Sequence, residues 1–425
     1  MQLTKIEFRL IYLFAITCSM NALMIGSISI SNYILIVLLI YNFIKYRHNL
    51  TFNFKAGSAI FSWLFLISIL LSVIFSWSLL PGSWRNNLIS CLIKYVLVFG
   101  YLFMLQPTSK IPSIRKVFFD GFYIGAIIQM IWGFLQLFMY SVFHIVINQI
   151  IFGNLLGETE YSWGSFINGN IIRMTGLGWE PANFALVIVI GYVLSIRERD
   201  NALIPLIFII TLLLSTSRSG YVAMIAVLIL QLIQKSNNLH IKDQINAYKL
   251  ISFLLLSLII CFVFIKYNTL MINRFQSIKL QFLDIFNNTS VDSSANIHMS
   301  YYADLTKILR NFPIVNWLFG AGYLSTGYYY SIFNAMLLDR LSLIGWNPES
   351  DFVTLALGNG MLGLLIFYGG FIKAIWTNKQ NYVSLILVAI IVCGFTYLTI
   401  RGTWTLIFIV FGMMNLDKRY NVKIN

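Results

Sequence analysis

The sequence predicts an all-α, polytopic transmembrane protein of about twelve helical spans with one large outward loop. Three observations carry this. Hydrophobic residues make up 59% of the chain and charged residues only 10%, with a mean hydropathy of +0.79, whereas a water-facing domain carries about 25% charged residues. Apolar runs recur at close to the ~20 residues that cross a bilayer as a helix. Backbone polar groups inside lipid must be satisfied within their own segment, so these runs are helices rather than open strands.

The spans fall near 8–25, 28–44, 57–79, 87–105, 117–140, 174–195, 201–216, 219–235, 250–266, 348–374, 381–399 and 401–415. Ser27, Ser29, Ser31 and Asn32 blur the boundary of the first pair, and the short seventh and eighth join through a Ser-Arg-Ser-Gly turn. Most of the 29 basic residues, among them Lys5, Arg9, Lys45, Arg115, Lys116, Arg197, Lys373 and Lys418, lie on one side of this topology. Short basic loops stay cytoplasmic, so both termini are expected there. This bias accounts for much of the net charge of +14 without a nucleic-acid partner. The first apolar run lacks a small-x-small cleavage site, so no cleavable signal is expected. Cys18, Cys91, Cys261 and Cys393 sit in apolar runs and read as small buried hydrophobes.

Three parts result: helices over 1–266, an extramembrane subdomain over 267–347, and closing helices with a cytoplasmic tail over 348–425. A shorter outward loop near 141–173 holds Glu158, Glu160, Tyr161 and Trp163. The large loop is too rich in aromatics (Tyr301, Tyr302, Trp317, Tyr323, Tyr328 to Tyr330) for a disordered segment. Asp304, Lys307 and Ile308 fall at helical spacing, which predicts an amphipathic helix near 298–311. Tyrosines beside charges suit carbohydrate, while an interfacial aromatic belt gives the same composition. No internal repeat is evident, which weighs against a carrier built from inverted halves.

The chemistry-bearing pattern is Arg173-Met-Thr-Gly176-Leu-Gly178-Trp-Glu180-Pro181, followed by Ser215-Thr-Ser-Arg218-Ser-Gly220. Arginine at a bilayer edge is costly and calls for a counter-charge. The glycines allow close backbone approach, and Glu180 is placed to orient Arg173 or Arg218. Arg218 stands among hydroxyls where a helix begins, and arginine at free helix N–H groups makes a phosphate cradle. The alternatives are a snorkelling helix anchor for Arg173 and a self-satisfied serine hairpin for Arg218. Asn347-Pro348-Glu349-Ser350-Asp351 opens the tenth span; Glu349 and Asp351, two residues apart, do not share a helix face. Either could be a general base or a charge favoured by the helix dipole. Arg85, Arg340 and Arg401 are further outward arginines, and His298 is the histidine nearest the site. With no metal-ligand spacing, P-loop or dinucleotide fingerprint, neither metal nor cofactor is expected.

Taken together, Arg173-x-x-Gly176 with Glu180-Pro181, the Thr216-Ser-Arg218-Ser-Gly220 turn, Leu318-Phe-Gly320-Ala-Gly322, and Glu349-Ser-Asp351 leading to Gly360-Met-Leu-Gly363 resemble the O-antigen polymerase and ligase superfamily. The resemblance covers roughly residues 80–400. It implies a fold similar to the lipid-dependent C-type glycosyltransferases, in the bacterial inner membrane, with its active face periplasmic. It implies transfer of a glycan from undecaprenyl pyrophosphate to another lipid-linked repeat unit, with membrane lipids around the chain and a chain-length regulator as a partner. The ligase branch has a histidine-led motif where this chain reads Trp346-Asn347-Pro348-Glu349, which tilts the reading to polymerase. On it, Arg173 and Arg218 hold the pyrophosphate and Glu180 orients them. Glu349 or Asp351 handles the acceptor hydroxyl, and Arg85, Arg340, Arg401 and His298 contribute to substrate binding. The alternatives are a ligase with a lipid A-core acceptor and a lipid-linked oligosaccharide flippase.

Overall fold

The computed structural model describes residues 3–25, 28–46, 59–99, 111–155, 167–168, 171–198, 203–236, 293–333, 347–378 and 381–413. The ninth predicted span and Arg340 lie outside them, as do Glu158, Glu160, Tyr161 and Trp163.

The described chain is mostly helical. In order it forms α1 (Lys5–Cys18), α2 (Ile30–Tyr46), α3 (Ala59–Ser76), α4 (Gly82–Phe99), α5 (Ile111–Phe143), α6 (Pro181–Glu198), α7 (Leu203–Ser215) and α8 (Arg218–Ser236). After the large break come α9 (Ser293–Arg310), α10 (Ile314–Phe319), α11 (Gly327–Phe333), α12 (Asp351–Gly358), α13 (Gly360–Thr377), α14 (Tyr382–Gly394) and α15 (Thr403–Met413). Two-residue antiparallel pairs join Met24 to Ser29 and Ile167 to Ile172. The expected helix near 298–311 is α9, one turn longer at its start.

α6 is the hub. Its sequence is apolar all round, and from Phe184 to Leu194 its large side chains are at most 2% exposed, as expected of a helix enclosed on every side. It packs against α5, α7, α8 and α14. Around it, α8 turns Val222, Ile225, Ile229 and Ile233 outward, and α13 exposes Leu365, Ile372 and Trp376. Apolar faces of this extent do not face water in soluble monomers; they suit lipid.

Among the described residues, α5 and α13 are long and apolar enough to cross a membrane, and seven shorter apolar helices accompany them. At a rise of 1.5 Å per residue, the 33-residue α5 is about 50 Å long and overshoots a ~30 Å hydrocarbon core. Several predicted spans are reshaped: the first ends at Cys18, ahead of the strand Met24–Ile25, and the eleventh ends at Gly394. The sixth starts at Pro181, because residues 173–180 form an irregular segment. The tenth is broken at Gly358-Asn359-Gly360 into α12 and α13.

Candidate active site

The irregular segment before α6 survives in an apolar interior because side chains replace its missing helical hydrogen bonds. Gln136 of α5 accepts from the Gly176 and Thr175 amides at 2.8 and 3.2 Å and donates to the Thr175 hydroxyl at 3.0 Å. One heptad earlier, Gln129 accepts from Leu177 N at 2.6 Å and donates to the Ser19 carbonyl at 2.7 Å. Asn148, itself held by the Trp132 indole at 2.8 Å, donates to the Gly176 carbonyl at 2.8 Å. Non-helical backbone at membrane depth is tolerated on such terms. Gly176 has φ +61°, and a side chain there would collide with Gln129 Oε1. Gly133, between the two glutamines, leaves room for Phe184 and Met174.

This cradle presents Arg173, half-buried, to the turn between α7 and α8. Its guanidinium donates to the Thr216 carbonyl at 3.5 Å. The Ser215 hydroxyl bonds back to Leu212 O and accepts from Ser217 N, while Ser217 Oγ accepts from Gly220 N at 3.5 Å at the head of α8. Gly220 allows α8 to close on α6, since a Cβ there would stand 2.5 Å from that of Ala185. Thr216 sits at φ 55°, an outlier for a β-branched residue. Its hydroxyl is buried with no hydrogen-bond partner among the described residues. Arg218, half-buried, is the first residue of α8. A cation at a helix N-terminus works against the dipole, so two arginines beside that end make a focus of positive potential. Glu180 is half-buried on the same segment, and its carbonyl accepts from Phe184 N at 3.1 Å.

The two carboxylates at the tenth span point apart. Glu349 is exposed, whereas Asp351 is 2% exposed. Asp351 accepts from the Thr399 hydroxyl and from Ile400 N at 3.1 Å, so both its oxygens bind the turn that carries Arg401. Gly394 faces this carboxylate with no room for a side chain. Ser350 caps α12 through Val353 N at 3.4 Å. The Tyr302 hydroxyl bridges Ser350 Oγ (3.0 Å) and the Phe395 carbonyl (2.6 Å). Burial pushes the Tyr302 phenol above its ordinary pKa, which keeps it a neutral donor.

The glycine motifs form a backbone seam. Ala321 N donates to Leu357 O at 2.9 Å and Gly322 N to Gly358 O at 3.3 Å, and the Ser72 hydroxyl also donates to Gly358 O. Gly320 (φ +84°) and Gly360 (φ +68°) meet the opposing backbone so closely that neither admits a Cβ. Asn347 locks the same segment through Thr326 N at 3.1 Å and Leu324 O at 3.0 Å.

Of the sequence-predicted residues, the structure thus joins Arg173 to the Thr216–Arg218 turn and Asp351 to the turn of Arg401, itself exposed. Arg85 lies in the first turn of α4, donating to Leu80 O at 2.8 Å with its guanidinium over the Trp77 ring at 5.5 Å. His298 falls within α9. Gln129, Gln136 and Asn148 escaped the sequence reading; two glutamines a heptad apart in an apolar span were the available signal. Among the described residues no group of three or more His, Cys, Asp or Glu could hold a metal ion.

A search of curated proteins finds no match to the chain. Residues 203–368 match the Wzy_C family model, described as O-Antigen ligase. The matched stretch holds the Arg218 turn, the glycine seam and both tenth-span carboxylates, whereas Arg173 and Arg401 lie outside it. The match over residues 203–368 is to a family of integral-membrane proteins and is consistent with the O-antigen polymerase and ligase superfamily.

Proposed function

We propose that the protein is a polysaccharide polymerase of the bacterial inner membrane. It joins undecaprenyl-pyrophosphate-linked repeat units at the periplasmic face, with about twelve spans and both termini cytoplasmic. The observation that carries this is the reach of Arg173 to the Thr216 carbonyl, which sets one guanidinium beside the turn that leads into another at the head of α8. Pyrophosphate is a good leaving group, and its departure is helped most by fixed positive charge where negative charge develops.

On this reading an acceptor hydroxyl oxygen attacks the anomeric carbon of the donor glycan. The bond from that carbon to the pyrophosphate oxygen breaks, and the lipid pyrophosphate leaves with the electron pair. Arg173 and Arg218 bind its oxygens, Glu180 orients the guanidiniums, and the unpartnered Thr216 hydroxyl adds a donor. No metal enters these steps. The acceptor proton passes to Glu349, the exposed carboxylate. Asp351 acts at one remove, holding the turn that bears Arg401. Arg85, Arg340, Arg401 and His298 belong to the substrate surface, and a chain-length regulator is the proposed protein partner.

A second reading, ligase, is favoured by the description of the matched family; Trp346 stands where that branch has histidine. Mass spectrometry of lipid-linked glycan from a host lacking the native gene separates the two. Loss of a polymerase leaves single repeat units that this chain extends into a ladder. Loss of a ligase leaves full polymer on the carrier, and that result would overturn the polymerase assignment.

A further inference from the structure

At the other end of α6, about 24 Å from Pro181 at 1.5 Å per residue, a second basic cluster has no role in the proposed chemistry. Arg115, near the start of α5, is 4% exposed. It lies within electrostatic reach of Arg197 and of Tyr382, the first residue of α14. The Arg197 guanidinium stands over the Tyr382 ring at 5.3 Å and the Phe119 ring at 6.0 Å. Asp120 meets Arg197 at 3.0 Å, close enough for an ion pair but not aligned as a hydrogen bond.

Asp120 is set against Arg197, and among the described residues no carboxylate pairs with the buried Arg115. The N-terminus of α14 adds the positive end of its dipole to the same place. Like charges are not held together at low dielectric without a counter-charge. The cluster sits where apolar helices end beside aromatic rings, the level of a membrane's headgroups. Its basic residues are those expected on the cytoplasmic side.

We infer that Arg115 and Arg197 form a binding site for one phosphate group, supplied by the headgroup of an anionic phospholipid. Arg115 contributes a buried guanidinium, and the more exposed Asp120 competes for Arg197 and weakens the anion's hold. The guanidiniums carry the recognition, and the acyl chains lie along the neighbouring apolar helices.

The test uses the full chain, purified and stripped of lipid, with native mass spectrometry of bound phosphatidylglycerol against phosphatidylcholine. The expected result is one retained phosphatidylglycerol. Arg115→Gln weakens its binding by about tenfold, as for loss of a charged hydrogen bond, and Asp120→Asn strengthens it. Lys116→Gln, at an exposed neighbour, leaves it unchanged. Because the Arg115 and Asp120 variants move in opposite directions, a merely misfolded Arg115 variant does not imitate the result. Displacement of the lipid by equimolar inorganic phosphate would support the site but name a soluble phosphate as its occupant. Equal retention of both lipids with no effect of inorganic phosphate, or equal losses in the Arg115 and Lys116 variants, overturns the inference.

Discussion

Arg173 donates to the carbonyl of Thr216 across 43 residues of sequence, tying the segment before α6 to the turn that opens α8. The contact depends on neighbours that hold no charge. Gln129, Gln136 and Asn148 support the Arg173 segment, and Gly220 brings α8 against α6.

Gln136→Leu tests that support. It keeps the side-chain bulk but strands the buried amides of Thr175 and Gly176, each at a cost of about 1–3 kcal/mol. The purified variant is expected to melt earlier in detergent and to lose polymer synthesis together with stability. Gln136→Glu, which keeps acceptor oxygens, recovers part of both. A variant as stable and active as the parent would show that the glutamine is not the support.

Gly176→Ala is expected to cost about 1–3 kcal/mol from its left-handed backbone alone, with the collision against Gln129 added. Gly178→Ala at the same loop is milder, because that glycine has no positive φ and its nearest neighbour stands at 3.0 Å. Thermal unfolding of the two variants side by side gives the order directly.

The carboxylates at the tenth span separate by readout. Glu349→Gln is expected to leave expression and melting unchanged and to reduce transfer by about 100-fold, the usual scale for a general base. Asp351→Ala is expected to destabilise the protein by about 1–3 kcal/mol for each of the two buried donors it strands on the Arg401 turn. Gly394→Ala mimics it by displacing the carboxylate, and adding it to Asp351→Ala costs little more. If Asp351→Ala is stable yet inactive, Asp351 is the base and the assignments exchange.

The glycine seam gives a prediction of fold alone. Gly320→Ala or Gly360→Ala forces apart the backbone joining the α10–α11 segment to α12 and α13, and either is expected to reduce the yield of folded protein sharply. Fluorescence-detected size exclusion from membranes measures this without an activity assay.

Much of this architecture was legible from local chemistry. Apolar runs marked the helices, the spacing of Asp304, Lys307 and Ile308 marked α9, and the serine-rich turn around Arg218 marked the start of α8. The sequence places the sixth span from residue 174, although Pro181 suits the first turn of a helix, and that is where α6 starts. What was not legible is the support of the irregular segment before it, which comes from Gln129 and Gln136, 40-odd residues away, and from Asn148. The spacing of Glu349 and Asp351 said that they diverge but not which turns inward; that depends on the distant Thr399–Ile400 turn. The sequence reads as one continuous tenth span over 348–374, which misses its break at Gly358-Asn359-Gly360. Its partner, Leu318 to Gly322, lies far off in sequence, and pairing the two required the fold.

The central claim is that Arg173 and the Thr216–Arg218 turn together grip a lipid pyrophosphate. The most direct measurement is the affinity of the purified full chain for undecaprenyl pyrophosphate against undecaprenol, with Arg173→Ala, Arg218→Ala and the double variant. The account predicts a strong preference for the pyrophosphate, a loss of about tenfold or more in each single variant as expected for charged hydrogen bonds, and a non-additive double variant because the two act on one group. Unchanged pyrophosphate affinity in both folded single variants would contradict it.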